Sequence, residues 1–173
     1  MKLMLFTDGS VHTKLRIGCG AYLTCSENDD TKESLVDNIR IKFFEDTSST
    51  KLELQTLLWA LSEISTQEII LYTDSQNIVK LPMRREKLEA NNYRGKSGNL
   101  LNNHHLYREF FAVSDKMEIE VRQIKGHSPS REKNRMDQIF SLVDRASRNA
   151  LRTYCKNLNP SLAPSRNFPE KNI

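Results

Sequence analysis

The sequence predicts an α/β protein: a single mixed β-sheet with helices packed against it. Three observations carry that expectation. Short apolar segments of strand length, each closed by turn residues, come three in a row at the start of the chain, as in an antiparallel meander. Strands and helices then alternate, the arrangement that builds a layered sheet with helical cover. The chain has 173 residues, enough for one domain with a proper core.

The elements follow in order. "KLMLFTD" (Lys2 to Asp8) reads as a buried strand closed by a turn at "DGS". "GCGAYLTCS" (Gly18 to Ser26) is a second strand, and "LVDNIRIKFFED" (Leu35 to Asp46) a third with partial alternation. Ser48 to Ile64 is a helix: Leu54, Leu57, Leu58 and Leu61 form an apolar stripe at helical spacing, and Ser48 or Ser49 caps its start. "EIILYTDS" (Glu68 to Ser75) is a fourth strand, again ending at an aspartate. A short helix from Gln76 stops at Pro82, because proline lacks the N–H that a helix interior needs. A polar, basic stretch follows from Arg84 to Asn99, then a helix in "HHLYREFFAVSDK" and a fifth strand from Met117 to His127. The last helix begins between Ser130 and Asn134. The folded domain is expected over residues 1–156. Residues 157–173, rich in proline and without periodicity, read as a loose tail.

Composition narrows the class. An apolar fraction of 38% and a charged fraction of 28% suit a globular protein with a polar surface. A net charge of +4 is compatible with a polyanionic partner. Three cysteines with no CxxC pair argue against a disulfide framework or a zinc site. No stretch approaches the ~20 apolar residues that span a bilayer. The apolar run after Met1 is too short for a secretory leader, so no membrane association and a cytoplasmic location are expected.

Two aspartates close apolar strands: Asp8 in "LFTDGS" and Asp74 in "LYTDSQ". Ligand sites in α/β sheets gather outside strand ends, so parallel neighbouring strands would bring both carboxylates to one edge. Glu53, in "TKLELQ", interrupts the apolar stripe of the helix between them. Clustered carboxylates repel each other unless a cation neutralises them, and hard oxygen ligands suit Mg²⁺ or Mn²⁺. Two such ions about 4 Å apart can activate a water and stabilise the leaving oxygen of a phosphodiester. Taken singly, Asp8 and Asp74 are ordinary turn formers; taken together, with His127 downstream in "KGHSPS", they point to a metal-dependent site.

In this order and spacing, "LFTDGS", "SSTKLELQTLLWAL", "IILYTDSQNIV", "IKGH" and "VDRASRNAL" resemble the ribonuclease H family over roughly residues 1–152. The resemblance implies a ribonuclease H-like fold: a five-stranded mixed sheet in the order 3-2-1-4-5 with helices on both faces. It implies Mg²⁺-dependent cleavage of the RNA strand of RNA–DNA hybrids, leaving 5′-phosphate and 3′-hydroxyl ends, by a monomer. By position Asp8, Glu53 and Asp74 match the first three metal ligands, and His127 the loop histidine that assists water activation or product release. Ser49 and Thr50 stand where the family often carries asparagines that read 2′-hydroxyls, and they reach less far. Ser10 and Gln76 match further substrate contacts, Gln76 toward the minor groove. Ser48 and Lys51 are candidate phosphate contacts. The basic stretch from Arg84 to Asn99 stands where many members grip the DNA strand, and Tyr93 within it offers a ring for stacking. His104 and His105 are adjacent and do not share a helical face, which argues against a joint metal site. Alternatives are another nuclease of the same fold and a non-catalytic module that binds hybrid or double-stranded RNA.

The fourth carboxylate is Asp137 or Asp144. The two share a helix face but differ in height by about 10.5 Å, too far for one metal site. The ten residues from His127 favour Asp137. The small residues around "VDRASRNAL" favour Asp144, since they let the helix approach the sheet, while Asp137 is also explained as an acid near a helix start. Asp144 is the expected ligand, with Ser128 to Phe140 then an extra segment beside the site. An i,i+4 pair with Arg148 is its ordinary explanation.

Overall fold

A computed structural model of the protein describes residues 2–27, 32–125 and 134–158. Five strands form one sheet in the order β3-β2-β1-β4-β5. β1 (Leu3–His12) pairs antiparallel with β2 (Ile17–Cys25), which pairs antiparallel with β3 (Arg40–Phe44). On the other side β1 pairs parallel with β4 (Glu68–Thr73), and β4 pairs parallel with β5 (Glu118–Gln123). The expected strand order and mixed sheet are therefore present.

Alternation along β1 sorts its side chains between two cores. Leu5 joins the cluster formed by α2 (Ser49–Glu63), α3 (Gln76–Ala90) and α4 (His104–Ser114). Met4 and Phe6 join the cluster on the opposite face, with Ile139, Phe140 and Val143 of α5 (Arg135–Leu158) and Leu35 of α1 (Lys32–Asp37). Helices cover both faces of the sheet, as expected. Phe6 stacks on Tyr72 of the neighbouring strand with ring centroids 4.7 Å apart.

Four local readings need correction. β1 does not turn at "DGS" but continues to His12, so Asp8 lies within the strand. The segment from Leu35 is not all strand. Lys32–Asp37 is a helical turn that buries Leu35, and only Arg40–Phe44 extends the sheet. The helix after Asp74 does not stop at Pro82 but runs on to Ala90. Pro82 is exposed, and the flanking Leu81 and Leu88 are buried, so core packing outweighs the lost bond on the solvent side. Finally, Ile139 and Phe140 are not part of an extra segment: both lie in α5 and are buried in the core. Part of the basic segment after Arg84 is thus helical. Its arginines are also engaged: Arg85 pairs with Asp115 and Glu89, Arg84 with Asn77, and Arg94 with the Gly98 carbonyl. Tyr93 is buried, with the Arg108 guanidinium 4.2 Å from its ring centroid, so its ring is already covered.

α5 runs to Leu158, and residues 159–173 lie outside the described residues. Among the described residues no helix is long and apolar enough to cross a membrane. Cys19, Cys25 and Cys155 are free and buried.

Candidate active site

The register of the sheet brings Asp8 and Asp74 together. β1 and β4 stay paired up to Phe6 opposite Tyr72, and β4 ends at Thr73. Two residues further along the same register, Asp8 comes opposite Asp74. The sheet has opened there because β4 has ended while β1 continues. Asp8 shares its face of β1 with Phe6, the face toward α5, and Ser10 follows two residues on along the same face.

Glu53 comes from the other face, and the close seating of α2 is what delivers it. A side chain at Gly9 would meet Leu52 Cδ2 at 2.7 Å, and one at Gly20 would meet Thr56 Oγ1 at 2.2 Å. Gly9 and Gly20 are partners across the β1–β2 ladder. With no Cβ at either, α2 lies nearly on the backbone of the sheet, and Thr56 is buried. Ser48 caps this helix, its side chain accepting the Lys51 N–H at 3.4 Å. The Lys51 amine donates to the Asp46 carbonyl at 2.8 Å. Ser49 and Thr50 are exposed in the first turn, four and three residues before Glu53 and so on its side of the helix.

Ser75 holds Glu53 in place. Its hydroxyl donates to Glu53 Oε2 at 2.5 Å and accepts the Ile78 N–H at 3.3 Å as the cap of α3. Its own N–H donates to Thr73 Oγ1 at 3.1 Å, and the Ile124 N–H ties the end of β5 to the Thr73 carbonyl. One small residue therefore links β4, α3 and Glu53 of α2. Sequence reasoning assigned it no role in the site, although a Ser directly before a helical pattern is a capping signal. Gln76, next to it, is exposed at the first position of α3.

The two aspartates of α5 sit in different surroundings. Asp137 is occupied at the helix start: it accepts the Asn134 N–H at 3.1 Å, while Asn134 Oδ1 accepts the Asp137 N–H at 2.9 Å. This reciprocal capping box satisfies two N–H groups that the first helical turn leaves without partners. Asp144, two turns on, is close enough to Asp8 for their carboxyl groups to interact. Its carboxylate receives Arg148 Nε at 2.7 Å and Arg148 Nη2 as well. Ser147, three residues further on, is buried and donates to its carbonyl at 3.0 Å.

Electrostatics follow from this crowding. The Asp8 carboxyl is pushed well above its ordinary value of 3.8, first by burial and then by the charges of Asp74 and Asp144, with the Gly9 backbone N–H opposing. Glu53 is raised from 4.5, mainly by burial; the Ser75 hydroxyl opposes and the charge of Asp74 adds. Raised carboxyl groups are the expected response of an uncompensated acidic cluster. Among the described residues no three His, Cys, Asp or Glu side chains form a ready-made metal cage. The donors are nonetheless hard carboxylate oxygens in mutual repulsion, the chemistry that a divalent cation relieves. His127 lies outside the described residues. His104 and His105 are the first two residues of α4, their rings edge to face at 5.6 Å.

A model of the RNase H family matches residues 1–147. Among solved structures, the solution structure of the prototype foamy virus RNase H domain superposes with a TM-score of 0.68 at 15% identity, covering 86% of this chain and 93% of that one. The crystal structure of the prototype foamy virus protease-reverse transcriptase matches with the same TM-score and identity over 86% of this chain. This chain spans only 20% of that molecule. At that identity both matches establish the fold alone. No curated protein matches the sequence.

Proposed function

Because this chain belongs to the RNase H family, we propose that it is a divalent-metal-dependent endonuclease that hydrolyses the RNA strand of RNA–DNA hybrids, leaving 5′-phosphate and 3′-hydroxyl ends. The observation that carries the reading is the gathering of carboxylates at one edge of the sheet: the β1–β4 register carries Asp8 opposite Asp74, Ser75 beside Asp74 holds Glu53, and Asp144 of α5 reaches Asp8. A protein that only bound phosphates would gain nothing from carboxylates gathered at that point, since they repel the ligand.

Asp8, Glu53, Asp74 and Asp144 would hold Mg²⁺, or Mn²⁺ in its place. When bound, such ions supply an activated water and charge stabilisation for the leaving oxygen by the two-metal route. The chain's own residues do the rest. Asp8 on β1 and Asp74 at the end of β4 set the fixed side of the site, because both are anchored by the sheet register. Ser75 orients Glu53. Ser10, Ser49, Thr50 and Gln76 would meet the RNA strand, their polar groups suited to ribose hydroxyls. His127 would move a proton or help release product, as a neutral-pH titrating side chain can.

The test is a substrate and metal panel. Purified protein is incubated with labelled RNA–DNA hybrid, RNA duplex and DNA duplex, with Mg²⁺, with Mn²⁺ and with a chelator. Metal-dependent cutting of the hybrid alone, lost in Asp8→Asn by several orders of magnitude, is the expected result. Binding without cutting under every metal condition would sink the proposal and favour a non-catalytic hybrid-binding module.

A further inference from the structure

The charge on α5 is unevenly placed. The helix contains Arg135, Arg145, Arg148, Arg152 and Lys156 against Asp137 and Asp144, and so accounts for three of the chain's net four positive charges. Beyond Asp144 it contains no acid at all. Arg145, Arg148, Arg152 and Lys156 are all exposed. Arg148 is committed to Asp144. The side chains of Arg145, Arg152 and Lys156 have no ion-pair partner among the described residues.

Their angular placement is specific. At about 100° per residue, Arg148 lies about 40° around the helix from Asp144, Arg152 about 80°, Arg145 about 100° and Lys156 about 120°. The buried residues Val143, Ser147 and Phe140 lie on the opposite side of Asp144, and buried Cys155 lies about 20° from it, short of the basic residues. Asp144 thus marks the boundary between the packed face and a basic face that starts beside the acidic cluster. The unpartnered charges extend along the axis for about 16 Å. A nucleic-acid strand presents one phosphate per about 3.4 Å of axis, so that face spans several successive phosphates. Favourable interaction with the helix dipole accounts for cations in the last turn only. It does not account for Arg145, more than three turns from the C-terminus.

We propose that the Arg145–Arg152–Lys156 face of α5 is a backbone-binding surface for the RNA–DNA hybrid outside the cleavage site, holding phosphates of the strand that runs on past Asp144. This rests on the hybrid-nuclease reading for the identity of the polyanion. The surface adds length to the footprint and contributes through charge, so it supports affinity and leaves the chemical step unchanged.

The experiment compares the full chain with the triple variant Arg145→Gln/Arg152→Gln/Lys156→Gln, in which glutamine preserves helix propensity; circular dichroism checks that both are folded. Binding is measured in the Asp8→Asn background, so that nothing is cut, with hybrids of 6 and 18 base pairs across a salt series. On the long hybrid the slope of log K against log salt is expected to fall by about 2 to 3, and low-salt affinity by tenfold or more. The short hybrid is expected to lose little, and kcat on the long hybrid, measured with Asp8 intact, to stay unchanged. An unchanged salt slope on the long hybrid overturns the proposal, as does the absence of any duplex binding by the parent protein at about 50 mM salt. The same titration on RNA and DNA duplexes separates the two readings. A slope lost there, with no hybrid cleavage by the native chain, sinks the nuclease reading and assigns the surface to another duplex, which overturns the proposal in its hybrid-specific form.

Discussion

Asp137 and Asp144 show how position within one helix gives two identical side chains different partners. Asp137 closes the capping box with Asn134, so Asp137→Ala should cost about 0.5 to 2 kcal/mol of stability and leave cleavage near wild type. Asp144→Asn should do the reverse: little change in stability and a loss of cleavage by orders of magnitude. Denaturant melts and hybrid-cleavage rates on the same preparations check both, and equal mild effects on cleavage would remove Asp144 from the site. Ser75 makes a third case, because it serves stability and the site together. Ser75→Ala should destabilise by about 1 kcal/mol through the lost cap and lower kcat more than it alters KM, since Glu53 loses the donor that orients it. Ser75→Thr, which keeps the hydroxyl, should recover part of the kcat.

At the scale of elements, the seating of α2 controls whether Glu53 reaches the other carboxylates. A Cβ at Gly20 would stand 2.2 Å from Thr56 Oγ1, inside a buried contact. Gly20→Ala should therefore push the helix away, costing about 1 to 3 kcal/mol and reducing cleavage although residue 20 touches no substrate. Adding Thr56→Ala should return part of both, and a double-mutant cycle measures the coupling; strict additivity would show that the two positions do not share this contact. α3 carries a different lesson. Pro82 is the strongest stop signal in that stretch, yet the helix continues, because burial of Leu81 and Leu88 is a tertiary gain that a local propensity does not contain.

Across the whole molecule, the acidic cluster sets a conflict between function and stability. Burial and the neighbouring charges raise the Asp8 carboxyl on folding. A group raised in this way contributes its stability at low pH and loses it as pH climbs through the folded value. In the metal-free protein, Asp8→Asn should accordingly gain on wild type as pH rises from about 4 towards 7. The expected gain is a few degrees in Tm, at about 2 to 4 °C per kcal/mol for a chain of this size. Saturating Mg²⁺ should close that gap, because a cation that binds only the folded wild type stabilises it by mass action. Thermal melts at several pH values, with and without Mg²⁺, decide this; a gap independent of both would mean that the cluster is not under electrostatic compression.

Much of this molecule could be read along the chain. The mixed sheet and the apolar stripe of α2 follow from periodicity, since burial imposes a period of 2 or 3.6 on the residues themselves, while the strand order and the helices on both faces are implied by the resemblance to the ribonuclease H family. The acidic residues were also visible, because a carboxylate that breaks an apolar run is conspicuous wherever it falls. Three-dimensional packing decided the rest. In sequence only their neighbours distinguish the two aspartates of α5; the sheet beneath the helix is what brings Asp144 to Asp8 and leaves Asp137 to cap a helix end. Ser75 reads as a cap until Glu53 is seen to arrive from the opposite face. The glycine cradle under α2 and the helix that passes through Pro82 belong to the same category. Each depends on atoms brought together from distant parts of the chain, and energies of that kind have no period along the sequence.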